Sequence, residues 1–283
     1  MTFKNYIMTN ESADRTGIVA ALTDCLARHE GFITELSQFG TPSTERFYSR
    51  IAFHMGSSDV AAFKADMKKV SKEFELKTAI IPAKRKTKTL IMVSKFDHCL
   101  ADLIYRVGKG RLNCEIVGIA SNHMAAKPLA DAANLPYHHI PITAETKPQA
   151  EAALRKLAAE TGTELIVLAR YMQVLSDGLC REYSGRIINI HHSFLPSFKG
   201  AKPYHRAYER GVKLIGATAH YVTADLDEGP IIEQGIQRVD HTKTPAKLID
   251  IGRDVEAQTL AEAVRLYTEH RTFLNGEKTV ILP

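Results

Sequence analysis

The chain lacks most of the signals that identify a function class at first sight. Its cysteines, Cys25, Cys99, Cys114 and Cys180, form no Cys-x-x-Cys pair and no cluster. That excludes a zinc ribbon and a disulfide framework, and it fits reduced thiols in a cytoplasmic protein. No apolar run approaches the length of a bilayer span. The N-terminus turns polar at Thr9-Asn10-Glu11, too early for a signal-peptide core, so no membrane association is expected. Charge of one sign is not in excess: 37 Lys and Arg against 32 Asp and Glu leave +5 over 283 residues. So small and dispersed a charge suits an anionic substrate but gives no case for nucleic acid. The densest basic run, Lys84-Arg85-Lys86-Thr87-Lys88, lies between two structured patterns and reads as a solvated linker. Although there are 12 histidines, no His-Glu-x-x-His or comparable ligand spacing occurs. The adjacent pairs His138-His139 and His191-His192 would diverge on a strand, so no metal is expected.

What the chain does have is two successive patterns. Residues 4 to 83 read as strand, helix, strand, strand, helix, strand. Asn5 to Met8 forms a short strand, and Arg15-Thr16-Gly17 opens a helix with Ile18, Val19, Leu22 and Leu26 at helical spacing. Gly31 is expected to end it. Phe32 to Phe39 and Phe47 to His54 alternate like strands around a Thr41-Pro42-Ser43 turn. A second helix carries Val60, Phe63, Met67 and Val70, and Phe74 to Ile81 is the last strand. This order predicts a ferredoxin-like α+β domain over residues 1–84.

Residues 85–283 change character. Apolar runs at Thr89 to Val93, Cys114 to Ala120, Tyr137 to Ile140, Leu165 to Leu168 and Arg186 to Ile190 alternate with helical patterns at Leu100 to Val107 and Gln149 to Leu157. Such a series predicts a Rossmann-like α/β domain, its mostly parallel sheet covered on both faces. Thr218 to Val222 and Ile231 to Val239 read as later strands, and Ala246 to His270 as a long closing helix.

One stretch stands out chemically. Asn189 and His191 are two apart at the end of an apolar strand, so they face the same way. About thirty residues on, after His220, Asp227 sits in a Leu226-Asp227-Glu228-Gly229-Pro230 turn. An amide donor, a titratable ring and a carboxylate are the parts needed to attack a carbonyl with water or an amine. Ligands in such sheets bind beyond the strand C-termini, which is where Asn189 and His191 fall.

These residues resemble the folate-dependent formyltransferase family, whose motif is Asn-x-His-x-Ser-x-Leu-Pro followed by Leu-Asp-x-Gly-Pro. Here the first part reads Asn189-Ile190-His191-His192-Ser193-Phe194-Leu195-Pro196. The resemblance covers residues 88 to 283. It implies that Met172, Gln173, Val174 and Leu175, with Ala224, Asp225 and Leu226, hold the pterin through their backbone, and that His220 is a pocket histidine. The Asp14-Arg15-Thr16-Gly17-Ile18-Val19 opening resembles the ACT domain, a module that commonly binds amino acids and pairs with copies of itself. By that likeness Asp14, Arg15, Gly17 and Ile18 would meet a regulatory ligand at a helix N-terminus.

The combination of the two domains is similar to the deformylase branch of the family, which hydrolyses 10-formyltetrahydrofolate to formate and tetrahydrofolate. His192 agrees, since the transferases usually have proline there. Transformylases using a ribonucleotide amine carry a Gly-rich loop after their first strand. This chain has Val93-Ser94-Lys95-Phe96-Asp97-His98-Cys99, without glycines. Water is therefore the expected nucleophile, and no cofactor is needed. Asn189 would stabilise the formyl oxygen, a role worth about 3 kcal/mol. His191 would donate to that oxygen or to N10, and Asp227 would orient water and accept its proton. The alternatives are transfer to an amine acceptor and a non-catalytic amino-acid or folate sensor. The implied assembly is a homodimer or homotetramer, and the implied role is formate supply, for instance to purine synthesis.

Overall fold

The computed structural model describes residues 3–56, 60–195 and 203–283. It divides into two compact units, Met1–Arg85 with Glu269–Pro283, and Lys86–Thr268. The break falls inside the basic run. The C-terminal segment, assigned from the sequence to the second domain, packs with the first unit instead.

The first unit has the expected element order: β1 (Phe3–Ala13), α1 (Ile18–Arg28), β2 (Phe32–Thr41), β3 (Arg46–Gly56), α2 (Val60–Glu73) and β4 (Lys77–Pro82). The strands form one antiparallel sheet in the order β2-β3-β1-β4. Leu22 and Leu26 of α1 and Phe63, Met67 and Val70 of α2 join Met8, Ile51, Phe53 and Met55 of the sheet in a common core. β1 runs well beyond Met8, through the polar residues that look like its end. Asn10 is fully buried, donating to Ser49 Oγ at 3.0 Å and accepting from Thr78 Oγ1 at 2.8 Å. A cross-strand ladder thus satisfies a polar residue that sequence reading assigns to a loop. Helix α1 closes with Glu30, not Gly31, in the left-handed position (φ 54°), and the Gly31 N–H reaches back to Leu26 O at 2.9 Å.

The second unit contains β5 (Thr87–Val93), α3 (His98–Gly108), β6 (Cys114–Ser121), α4 (Lys127–Ala132), β7 (Tyr137–His139), α5 (Lys147–Thr161), β8 (Leu165–Leu168) and α6 (Asp177–Glu182). It continues with β9 (Ile187–His191), α7 (Pro203–Glu209), β10 (Leu214–Tyr221), β11 (Ile231–Arg238) and α8 (Pro245–Thr268). The seven strands lie in the order β11-β10-β9-β8-β5-β6-β7. β7, β6, β5, β8 and β9 run parallel, and β10 and β11 antiparallel. Every residue of β8 is buried, as a continuous apolar strand covered on both faces requires. From β5 the chain first builds outward through β6 and β7, then returns to build β8 and β9 on the other side. The crevice at this switch lies beyond the ends of β5, β8 and β9.

The last elements, β12 (Thr272–Asn275) and β13 (Lys278–Ile281), pair as a hairpin in the first unit. The Phe273 ring packs 5.5 Å from that of Tyr48. Glu35 on β2 is shared by the guanidinium groups of Arg50 and Arg271, each at 2.8 Å.

Candidate active site

Asn189 and His191 stand on β9, between β8 and the antiparallel β10. Their common parity turns both toward one cavity of about 720 Å³ beyond the parallel strands. The register pairs Asn189 with His220 on β10. His220 is almost fully buried, and its Nδ1 faces Tyr221 O at 2.8 Å, so that nitrogen carries the proton. Its Nε2 then accepts from Asn189 Nδ2 at 3.1 Å. One contact thereby fixes which end of the Asn189 amide is nitrogen, leaving its second N–H for another acceptor. Burial pushes the His220 pKa down, in keeping with this neutral tautomer.

Asp227 reaches the same place from the loop after β10. Its backbone is left-handed (φ 57°), a conformation aspartate tolerates better than most residues. The loop is pressed onto β10 by Tyr221 N–H donating to Pro230 O at 2.9 Å. A Cβ on Gly229 would collide with the Tyr221 carbonyl, so only glycine permits this approach. Asp227 Oδ2 accepts from His191 Nδ1 at 3.1 Å, and its Oδ1 lies 3.7 Å from His220 Nε2. The hydrogen bond from His191 holds the Asp227 carboxyl below its ordinary pKa. The opposite nitrogen of His191, Nε2, is buried and has no hydrogen-bond partner among the described residues. Such an atom in a cavity awaits a ligand or water.

Met172, Gln173, Val174, Leu175, Ala224, Asp225 and Leu226 all line the same cavity, as does His220. The Met172–Leu175 segment is anchored where Met172 N–H donates to Ser94 Oγ at 3.0 Å. Ser94 in turn donates to Asn122 Oδ1 at 2.7 Å. The apolar side chains of Met172, Val174 and Leu226 remain more than half exposed, leaving hydrophobic surface at the cavity rim. Pro196, at the end of the first motif, lies outside the described residues.

Sequence reading missed a polar group on another wall of the cavity. Glu256, from the middle of α8, is 1% exposed. It accepts from Tyr204 Oη at 2.7 Å, bonds His98 Nε2 at 2.9 Å and lies 3.3 Å from Arg170 Nε. Although burial opposes it, these partners keep the Glu256 pKa below the ordinary value. Tyr204 fits there because Gly252, one turn earlier on α8, has no Cβ to collide with its ring. Arg170 and Arg253 both lie over the Phe96 ring, at 5.9 and 5.6 Å. His98 and Cys99 with Glu256 are the only group of metal-type donors among the described residues. The adjacent Arg170 opposes a cation, and burial raises the Cys99 thiol well above its usual pKa.

A regular strand would set His192 on the opposite face from His191, and a local turn would bring both in; the chain turns. β9 ends at His191, and the two rings lie 5.0 Å apart with both residues lining the cavity. In the first unit, Gly17 caps α1 with φ 97° and Ile18 is buried. Arg15 bonds Glu73 O and lies 4.6 Å from the Phe74 ring centre, while the Asp14 N–H donates to Glu45 O at 2.7 Å.

Burial chiefly, then Arg170 and His191, push the His192 pKa from 6.5 to about 4. The unfolded chain therefore binds more protons than the fold between these values. His192's contribution to stability is complete above that window and lost as pH falls through it, up to roughly 3 kcal/mol. Urea unfolding should show stability falling from pH 7 to 4.5, with a shallower fall in His192→Gln. Identical slopes would contradict the assignment.

Residues 87–264 match the formyl transferase family. A formyltetrahydrofolate deformylase of Corynebacterium sp. (strain P-1) is 50% identical over 279 residues, covering 98% of either chain. One of Bacillus subtilis (strain 168) is 42% identical, over 95% of this chain and 90% of its own. The crystal structure of the formyltetrahydrofolate deformylase from Burkholderia mallei ATCC 23344 superposes with a TM-score of 0.95 at 49% identity, covering 99% of this chain and 100% of that one. With a family match over most of its second unit and half of its residues shared with relatives along nearly its whole length, the chain belongs to the formyl transferases and, among them, to the formyltetrahydrofolate deformylases.

Proposed function

We propose that the chain hydrolyses 10-formyltetrahydrofolate to formate and tetrahydrofolate, with Asn189, His191 and Asp227 as the catalytic set. The observation that carries this reading is the buried Nε2 of His191, without a partner among the described residues and backed through Nδ1 by Asp227. Water attacks the formyl carbon and a C–O bond forms as the carbonyl pair moves onto oxygen. Asn189 N–H and His191 meet that oxygen. Asp227 orients the water, takes its proton and stabilises a charged His191. The pair then returns, the C–N10 bond breaks, and N10 takes up a proton. No cofactor enters this sequence. The pterin lies along Met172–Leu175 and Ala224–Leu226, recognised largely by backbone groups.

Water is favoured over an amine acceptor because the segment after β5 has no glycines from Val93 to Cys99. Phe96 lines the cavity there beneath two guanidinium groups. Removing the catalytic carboxylate tests the set. Asp227→Asn should lower the rate of formate release by about a hundredfold or more while leaving tetrahydrofolate binding nearly intact. A variant that retains the native rate would remove Asp227 from the mechanism.

The first unit serves as an ACT-type regulatory and assembly domain around Asp14, Arg15, Gly17 and Ile18. Edge strand β2 leaves Phe32, Leu36 and Phe39 exposed, which supports pairing of copies into a dimer or tetramer. Among the described residues no helix is long and apolar enough to cross a membrane, and the dispersed free cysteines agree with a cytoplasmic setting. An amino acid of one-carbon supply, glycine or methionine, should bind and change the deformylation rate. Calorimetry and kinetics with neither effect would leave this unit an assembly device alone.

A further inference from the structure

The imidazole of His192 has no assigned task. His192 follows the last residue of β9, and the bend there turns it into the space that His191 faces. Its ring is tilted by 39° against that of His191. The residue lines the cavity with its ring centre 5.0 Å from that of His191. The charged and titratable groups around it come from four elements. They are Arg170 after β8, His191 on β9, Asp227 after β10 and Glu256 on α8. Glu256 is tied to Tyr204 and His98, so the Arg170 beside it is held by a buried anchor on a long helix.

We propose that His192 is a further catalytic residue, its bare ring nitrogen accepting a hydrogen bond from the water that attacks the formyl carbon. This rests on the deformylase reading and adds a task to it. The water then has two holders, His192 through one O–H and Asp227 through the other. The proton lost as the C–O bond forms passes to Asp227, leaving the His192 ring neutral throughout. The positive charge of Arg170 favours that neutral state, so the ring remains an acceptor across the physiological range. Arg170, held beside the buried Glu256, is accordingly a positioning residue for the His192 ring.

The test compares His192→Phe, which keeps ring bulk without an acceptor, with His192→Gln, which restores one. Formate release from 10-formyltetrahydrofolate and tetrahydrofolate affinity are measured for each full-length variant. Phe should lower kcat on the order of a hundredfold with KM and tetrahydrofolate affinity little changed. Gln should recover most of the loss, to within about tenfold of wild type. A Phe variant within about threefold of wild-type kcat would overturn the proposal. So would a Gln variant as slow as Phe, or a loss of tetrahydrofolate affinity matching the loss of rate. Wild-type enzyme that releases no formate would sink the deformylase reading itself, a distinguishable failure.

Discussion

The site depends on one contact between two distant stretches of chain, the hydrogen bond from His191 Nδ1 to Asp227 Oδ2 at 3.1 Å. It forms only if β9 ends where it does and the following hairpin returns its loop onto β10. The parallel sheet secures the first condition by burying β8 and β9 among apolar neighbours. Gly229 secures the second by letting the loop lie against the Tyr221 carbonyl. Once made, the contact fixes the orientation of the His191 ring and the carboxylate that faces it.

Around this pair the protein arranges imidazoles in different states. His220 spends Nδ1 on a backbone carbonyl and Nε2 on Asn189, so it positions an amide and is closed to proton chemistry. His192 is kept neutral by burial and by Arg170. Among the described residues, His191 alone of the three hydrogen-bonds the Asp227 carboxylate, which lies 3.7 Å from His220 Nε2. Environments that push similar groups in different directions divide labour among them. The Glu256 network does this at a distance, because it is almost wholly buried and each carboxylate oxygen is hydrogen-bonded.

The features legible in the sequence were local ones. Asn189 and His191 share a strand face by parity, and Asp227 is marked by its Gly-Pro turn. The parallel sheet follows from apolar runs separated by helical patterns. Features built from remote partners were not legible. Glu256 carries no motif, and its partners His98, Arg170 and Tyr204 are scattered over the chain. Asn10 looked like the end of a strand because its polarity is satisfied by Ser49 and Thr78. Strand parity alone could not decide the side of His192, since β9 ends one residue earlier. The β12–β13 hairpin was missed because its strands are four residues each and half polar. Helices α4, α6 and α7, of six or seven residues, are too short to show a period.

The central claim is that water, activated beside His191 and Asp227, is the nucleophile. The most direct measurement is turnover of 10-formyltetrahydrofolate in heavy-oxygen water without any amine, with formate analysed by mass spectrometry. The account predicts steady release of formate carrying one solvent oxygen, with tetrahydrofolate formed in equal amount. Formate or tetrahydrofolate appearing only once an amine acceptor is added would contradict it.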